Sequence, residues 1–109
     1  MNLQESIMIE DLDEYSVPMV IVLLCATPHP TTKTKLMHHC IDRYGKFVEH
    51  GPYLYGEYSD DIDEAMEALN SWGCLDSKWR LTDFGDGVLK RIYAEIDDEE
   101  INAVLGEYA

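Results

Sequence analysis

Three groups of residues in this chain could do chemistry. His38, His39 and Cys40 are all metal-ligating types. Consecutive helical positions, however, point in different directions and cannot all face one ion. Asp60, Asp61, Asp63 and Glu64 supply carboxylates, but acid–base catalysis needs two groups opposed across a cleft, not a run along one helix. The stretch Asp83-Phe84-Gly85-Asp86-Gly87 has the glycines of a phosphate loop without its lysine. It also contains a kinase-like triplet without a catalytic loop or nucleotide lysine. No Cys-x-x-Cys pair is present. These absences read as a non-enzyme with no metal and no cofactor.

Charge is the more informative property. Twenty-two acids stand against eight bases, for a net charge of −14 over 109 residues. A nucleic-acid binder usually carries a basic footprint, whereas this balance favours solubility and basic partners. Residues 57–67 alone carry six acids and no base. The bases are not scattered. Lys33, Lys35, Arg43 and Lys46 fall in one segment, and Lys78, Arg80, Lys90 and Arg91 in another. Solvated helix faces would account for both segments, as would phosphate contacts.

One hundred and nine residues suit a single domain with its own core. Cys25, Cys40 and Cys74 are odd in number and widely spaced, which favours reduced thiols and a cytoplasmic setting. The longest apolar run, VPMVIVLLCA at 17–26, is too short to span a bilayer. Residues 1–14 carry five acids and no base, and read as an acidic arm or a short strand around Ile7–Ile9. Residues 15–109 form the expected domain.

The elements that must position these groups follow from caps and periodicity. Ser16 with Pro18 starts a first, buried helix over 17–26, although Val20, Ile21 and Val22 leave a buried strand as the rival. Thr31 or Thr32 caps a second helix to about Lys46, with Leu36, Cys40, Tyr44 and Phe47 on one face. Gly51-Pro52 and Gly56 mark an extended aromatic loop whose Tyr53, Tyr55 and Tyr58 cover the open end of the core. Ser59 or Asp60 caps a third helix with Ile62, Met66 and Leu69 inward, stopped by Gly73. CLDSKWRLT predicts a short hairpin at about 74–82 with Trp79 and Leu81 on one face. Thr82 caps a fourth helix, with Val88, Leu89, Ile92 and Tyr93 sharing a face. Asp97 caps a fifth, with Ile101, Val104, Leu105 and Tyr108 inward. That last stripe lies outside a three-helix core, so it is expected to pack on the first helix or on a symmetry mate in a homodimer.

Three helices, a hairpin and further helices resemble a winged helix-turn-helix, mainly α with a small β-hairpin. In ALNSWGCLDSKWRLTDFG, the residues Leu69, Gly73, Leu81, Thr82 and Gly85 match the winged-helix pattern of a helix ending in Leu-x-x-x-Gly, a wing, and Leu-Thr-x-x-Gly. TKTKLMHHCIDRYG through PYLYGEYSDDIDEAMEALNSWG is similar to the bacterial, archaeal and phage-associated winged-helix group that includes the YwgA-like proteins. There a Lys-Leu helix precedes a Tyr-Gly-Pro-Tyr-Ser-like turn and an acidic helix. Tyr55, Gly56, Tyr58 and Ser59 match, and Glu57 stands where Pro is usual. More distantly, the chain resembles the antitoxin-type Panacea domains. The likeness covers roughly residues 16–95 and implies a fold, not an activity.

Two functional expectations lead, the first ahead of the second, and a dimer scaffold built through the first and last helices is a third. One is a winged-helix regulator contacting DNA phosphates through the second helix and the wing, with Lys33, Lys35, Arg43, Lys46, Lys78 and Arg80 as the binding residues. The other is an acidic module, antitoxin-like or nucleic-acid-mimicking. It would bind a basic protein through helix 59–72, with Asp60, Asp61, Asp63, Glu64 and Glu67 as the contact residues.

Overall fold

The computed structural model describes residues 12–54 and 56–108. The expected arm or strand around Ile7–Ile9 lies outside them. Leu12–Glu14 forms a single 3-10 turn whose Leu12 is buried, so the packed body begins before residue 15. Five α-helices and one two-stranded antiparallel hairpin follow among the described residues: α1 Val17–Cys25, α2 Lys33–Tyr44, β1 Gly51–Tyr53, β2 Gly56–Tyr58, α3 Asp60–Ser71, α4 Asp83–Glu95 and α5 Glu99–Leu105. This mainly helical layout is compatible with a winged-helix-like arrangement.

Residues 17–25 are helix, not strand. α1 has no charged side chain, and Val20, Ile21, Val22 and Leu23 are all fully buried. A helix that is apolar all round must be enclosed on every side, and α2, α3, α4 and α5 all pack against it. Each surrounding helix contributes one apolar stripe: Leu36, Met37, Cys40, Ile41 and Tyr44 from α2, Ile62, Ala65, Met66 and Leu69 from α3, Val88 and Ile92 from α4, and Ile101 and Val104 from α5. The α5 stripe is therefore covered within one chain.

Caps set the helix starts. Thr32 accepts from Lys35 N–H at 3.1 Å, Ser59 from Ile62 N–H at 3.2 Å, and Thr82 from Gly85 N–H at 3.0 Å. For α5 the cap is Asp98 rather than Asp97, accepting from Ile101 N–H at 3.0 Å. Gly73 closes α3 with φ +82°, a left-handed position that suits glycine. Two side chains expected inward are not: Tyr93 is 56% exposed and Tyr108 is 55% exposed.

The hairpin expected at 74–82 is reduced to one bridge, Leu75–Leu81. Its neighbours have other duties. Cys74 and Leu75 N–H groups cap the Leu69 carbonyl at the end of α3, Leu81 N–H bonds to Thr27, and Thr82 must already start α4. The turn itself is tight, with Trp79 N–H donating to the Asp76 carbonyl at 3.0 Å and Trp79 at φ +59°. This is the geometry of a three-residue hairpin loop ending in a left-handed residue. Trp79 and Leu81 do pack against the core, half-buried. The longer ladder occupies the stretch expected to be an extended loop, pairing Gly51 with Tyr58, Pro52 with Glu57 and Tyr53 with Gly56. Gly56 sits at φ +116°, a backbone conformation that calls for glycine, whereas the one close neighbour of a Cβ there, the ring of exposed His38, could move aside. Of the two described tyrosines, Tyr58 packs against the core, whereas Tyr53 stays on the surface.

Gly85 lets α4 approach the 74–82 turn closely: a Cβ there would lie 2.3 Å from the Cys74 carbonyl oxygen and 2.8 Å from Leu81 Cδ1. Gly87, on the same helix, has nothing within 4 Å of the equivalent point. Gly85→Ala should therefore lower stability by about 1–3 kcal/mol, while Gly87→Ala should raise it by about 0.5–1 kcal/mol through helix propensity. Urea unfolding of the two variants checks this; equal effects would contradict the close approach.

Candidate functional site

α3 carries the acidic face. Its buried stripe fixes the rotation of the helix, and the capping Ser59 is itself buried. Asp60, Asp61 and Glu64 then project into solvent and form no ion pair with a described base. Asp63 and Glu67 lie on the flank toward α2. There Lys33 Nζ stands 2.7 Å from Asp63 Oδ1 and 2.5 Å from Glu67 Oε1. Burial works against the charged amine of Lys33, but the two carboxylates outweigh it and raise its pKa. The five residues expected to act together are thus divided: three point outward, and two are held by a lysine of the same chain.

The six candidate DNA-contacting bases do not form one patch. Lys33, Lys35, Lys78 and Arg80 gather near the start of α2. Thr31 N–H meets the Lys78 carbonyl at 3.4 Å, and the Lys33 ammonium lies 5.3 Å from the Trp79 ring. Arg43 and Lys46 lie at the other end, about 15 Å along the helix at 1.5 Å per residue. Arg43 stacks over the Tyr108 ring at 4.3 Å, and Lys46 pairs with Glu107 at 2.7 Å. Arg80 Nε is 2.6 Å from Asp76 Oδ2, Lys90 is 2.8 Å from Asp86, and Arg91 is 2.8 Å from Glu95. Among the described residues, Lys35, Arg43 and Lys78 are the bases outside any ion pair.

The hairpin borders the acidic helix and carries apolar surface. Leu54 at its tip is 81% exposed and Tyr53 is 63% exposed. The Tyr53 and Tyr58 rings meet at 5.1 Å between centroids, tilted by 33°. Between the hairpin, α2 and α3 lies a groove of about 130 Å³ walled by Met37, Met66, Tyr53 and Tyr58, with Glu57 and Asp63 among its lining residues. Desolvation, and then the nearby Asp63 carboxylate, push the Tyr58 hydroxyl above its usual pKa. His50 Nδ1 lies 3.0 Å from Glu57 Oε2.

His38 and His39 are exposed while Cys40 is in the core, so these three do not converge. Among the described residues no cluster of three or more His, Cys, Asp or Glu is placed to hold a metal ion. No helix among them is long and apolar enough to cross a membrane.

Sequence reasoning missed the hairpin as an exposed apolar element. Its available signal was the alternation of tyrosines about Gly56, which suits a strand pair better than a loop. It also missed Tyr108 as a clasp: the ring meets Tyr44 edge-on at 5.3 Å, and the hydroxyl donates to the Arg43 carbonyl at 2.7 Å. Comparison with protein families, with curated proteins and with solved structures finds no match for this chain.

The turn beside the bases depends on Asp76. Its Oδ1 accepts from Arg80 N–H at 3.0 Å and Lys78 N–H at 2.9 Å, and Oδ2 accepts from the Arg80 guanidinium. The Arg80 backbone N–H, followed by the Arg80 side chain and Lys78 N–H, holds the carboxyl below its ordinary pKa. A depressed folded pKa contributes stability above the unfolded value, about 3.9 for Asp, and that contribution is lost as pH falls through the lower folded value. Amide NMR should therefore show the Lys78 and Arg80 N–H resonances moving together below pH 4, with no such transition in Asp76→Asn. Pinning of the turn by other groups would leave both resonances unmoved in the parent protein.

Proposed function

We propose that this protein is a non-enzymatic interaction module that binds a basic polypeptide surface through the outer face of α3. One observation carries the reading. Five of the eight bases are committed to ion pairs with acids of the same chain, yet Asp60, Asp61 and Glu64 stand together with no cation. Like charges this close repel by a few tenths of a kcal/mol per pair, and the helix dipole needs only one or two of them. An unopposed acidic face raises encounter rates with cationic partners and repels phosphates. The antitoxin-like or nucleic-acid-mimicking roles suggested by the resemblance both fit this chemistry. The free, buried cysteines suit a reducing, cytoplasmic setting. A homodimer would have to use a surface other than the α5 stripe.

A winged-helix regulator remains the second reading, because Lys35 and Lys78 lie unpaired beside the same end of α2. DNA would there meet Asp63 and Glu67 as well, and each phosphate contact must offset that repulsion.

Replacing Asp60, Asp61 and Glu64 with Asn, Asn and Gln removes three charges and leaves the Ser59 cap in place. Titration with a lysine-rich peptide, followed by calorimetry, should show affinity falling about tenfold or more in this variant. Parent binding should weaken steeply with added salt. The control Asp97→Asn, Glu99→Gln, Glu100→Gln removes as many charges elsewhere and should stay within about twofold of the parent. Equal losses in both variants would reduce the effect to net charge and overturn the reading. A low-salt gel shift on duplex DNA that is lost in Lys35→Ala, Lys78→Ala would establish the regulator instead.

A further inference from the structure

The acidic face of α3 has an apolar neighbour that a purely electrostatic module does not need. Leu54 and Tyr53 stand exposed at the hairpin tip, and the groove beside them has Met37 and Met66 at its walls. Both methionines are buried, so the walls are anchored in the core while their thioethers can adapt to a guest. A volume of about 130 Å³ is close to the ~150 Å³ cavity that admits a benzene-sized group. It suits one side chain and is too small for a drug-sized ligand, which occupies ~300 Å³ or more. Glu57 and Asp63 line this groove beside Lys33 and His38. Asp63 is paired with Lys33 and Glu57 with His50, so the unpaired carboxylates near the opening come from its neighbour. Tyr58 is shared with an adjoining depression lined by Glu49, Asp60 and Asp61.

We infer that the hairpin and this groove form the anchor subsite of a docking surface for a basic polypeptide segment. One aliphatic or aromatic side chain of that segment enters between Met37, Met66, Tyr53 and Tyr58, and its flanking Lys or Arg residues meet the α3 carboxylates. This rests on the proposed function, and commits it to a partner whose basic residues bracket an apolar one. Charge complementarity selects the occupant: an acidic segment or a phosphate backbone would meet the same carboxylates. An arrangement of a central apolar pocket within a charged rim also matches how binding energy concentrates in interfaces, where a few buried anchors dominate and the rim steers.

The test is selection of random peptides of about 12 residues on the immobilised full-length protein at near-physiological salt. Enriched peptides should carry an apolar residue bracketed by Lys or Arg. Their affinity should fall about tenfold or more in Tyr53→Ser, Leu54→Ser and also in Asp60→Asn, Asp61→Asn, Glu64→Gln. Both hairpin positions are exposed, so the variant should lose only the Tyr53–Tyr58 ring contact and stay folded at the assay temperature, which a thermal melt checks. Leu54→Ser alone, at the more exposed position, provides a milder check. Enrichment of Lys- and Arg-rich peptides with no apolar residue, insensitive to the hairpin variant, would overturn the anchor subsite and leave the acidic reading intact. Peptides that depend on the hairpin but not on the three acids would overturn the acidic reading. No enrichment would overturn both. Sedimentation giving a parent dimer that the hairpin variant abolishes would identify the occupant as a second copy, and contradict the basic segment.

Discussion

The whole molecule depends on hiding α1. Nine residues with no charged side chain cannot lie on a surface, and the fold encloses them with four other helices. Each enclosing helix has only one apolar stripe to give, so its remaining faces are polar by necessity. With 22 acids and eight bases in the chain, those outer faces are predominantly negative. Core and surface charge are therefore one arrangement: the more apolar the central helix, the more of the charge falls to the shell around it.

The bases act as ties. Lys33 links α2 to α3, the Arg80 pair steadies the turn before α4, and Lys46 with Arg43 holds the end of the chain against α2 through Glu107 and Tyr108. Exposed pairs of this kind contribute ~0–1 kcal/mol each. They orient elements more than they stabilise them. Their larger effect is on the electrostatic field, since a base paired with an acid projects little positive potential. The outward acids of α3 remain uncompensated, and the hairpin places apolar surface at their side. On the proposed reading, a basic polypeptide would answer both features.

Much of this architecture is legible in the sequence because it rests on local signals. Thr32, Ser59 and Thr82 mark helix starts, Gly73 marks a stop, and the apolar stripes of the four enclosing helices appear at helical spacing. The errors arise where local signals compete or are silent. Leu54 is not a residue that announces a hairpin turn, so the pairing of 51–53 with 56–58 reads as a loop. The 74–82 segment has strand-like alternation, but helix caps on both sides claim its backbone groups. Tyr93 and Tyr108 fit an inward periodicity, but the small core is already filled by Val88, Ile92, Ile101 and Val104. The site was harder still. That Lys33 takes Asp63 and Glu67 out of the acidic face is a contact between residues some thirty positions apart, and no spacing rule reports it.

The central claim is that the unopposed acids of α3, not the bases around α2, meet the partner. Residue-resolved NMR can weigh the two directly by titrating one labelled sample with a cationic peptide and another with duplex DNA at the same low salt. The account predicts saturable shifts at the amides of Asp60, Asp61 and Glu64 with the peptide, and no saturable shift anywhere with DNA. Saturable DNA-induced shifts centred on Lys35 and Lys78, with the α3 amides silent toward the peptide, would contradict it.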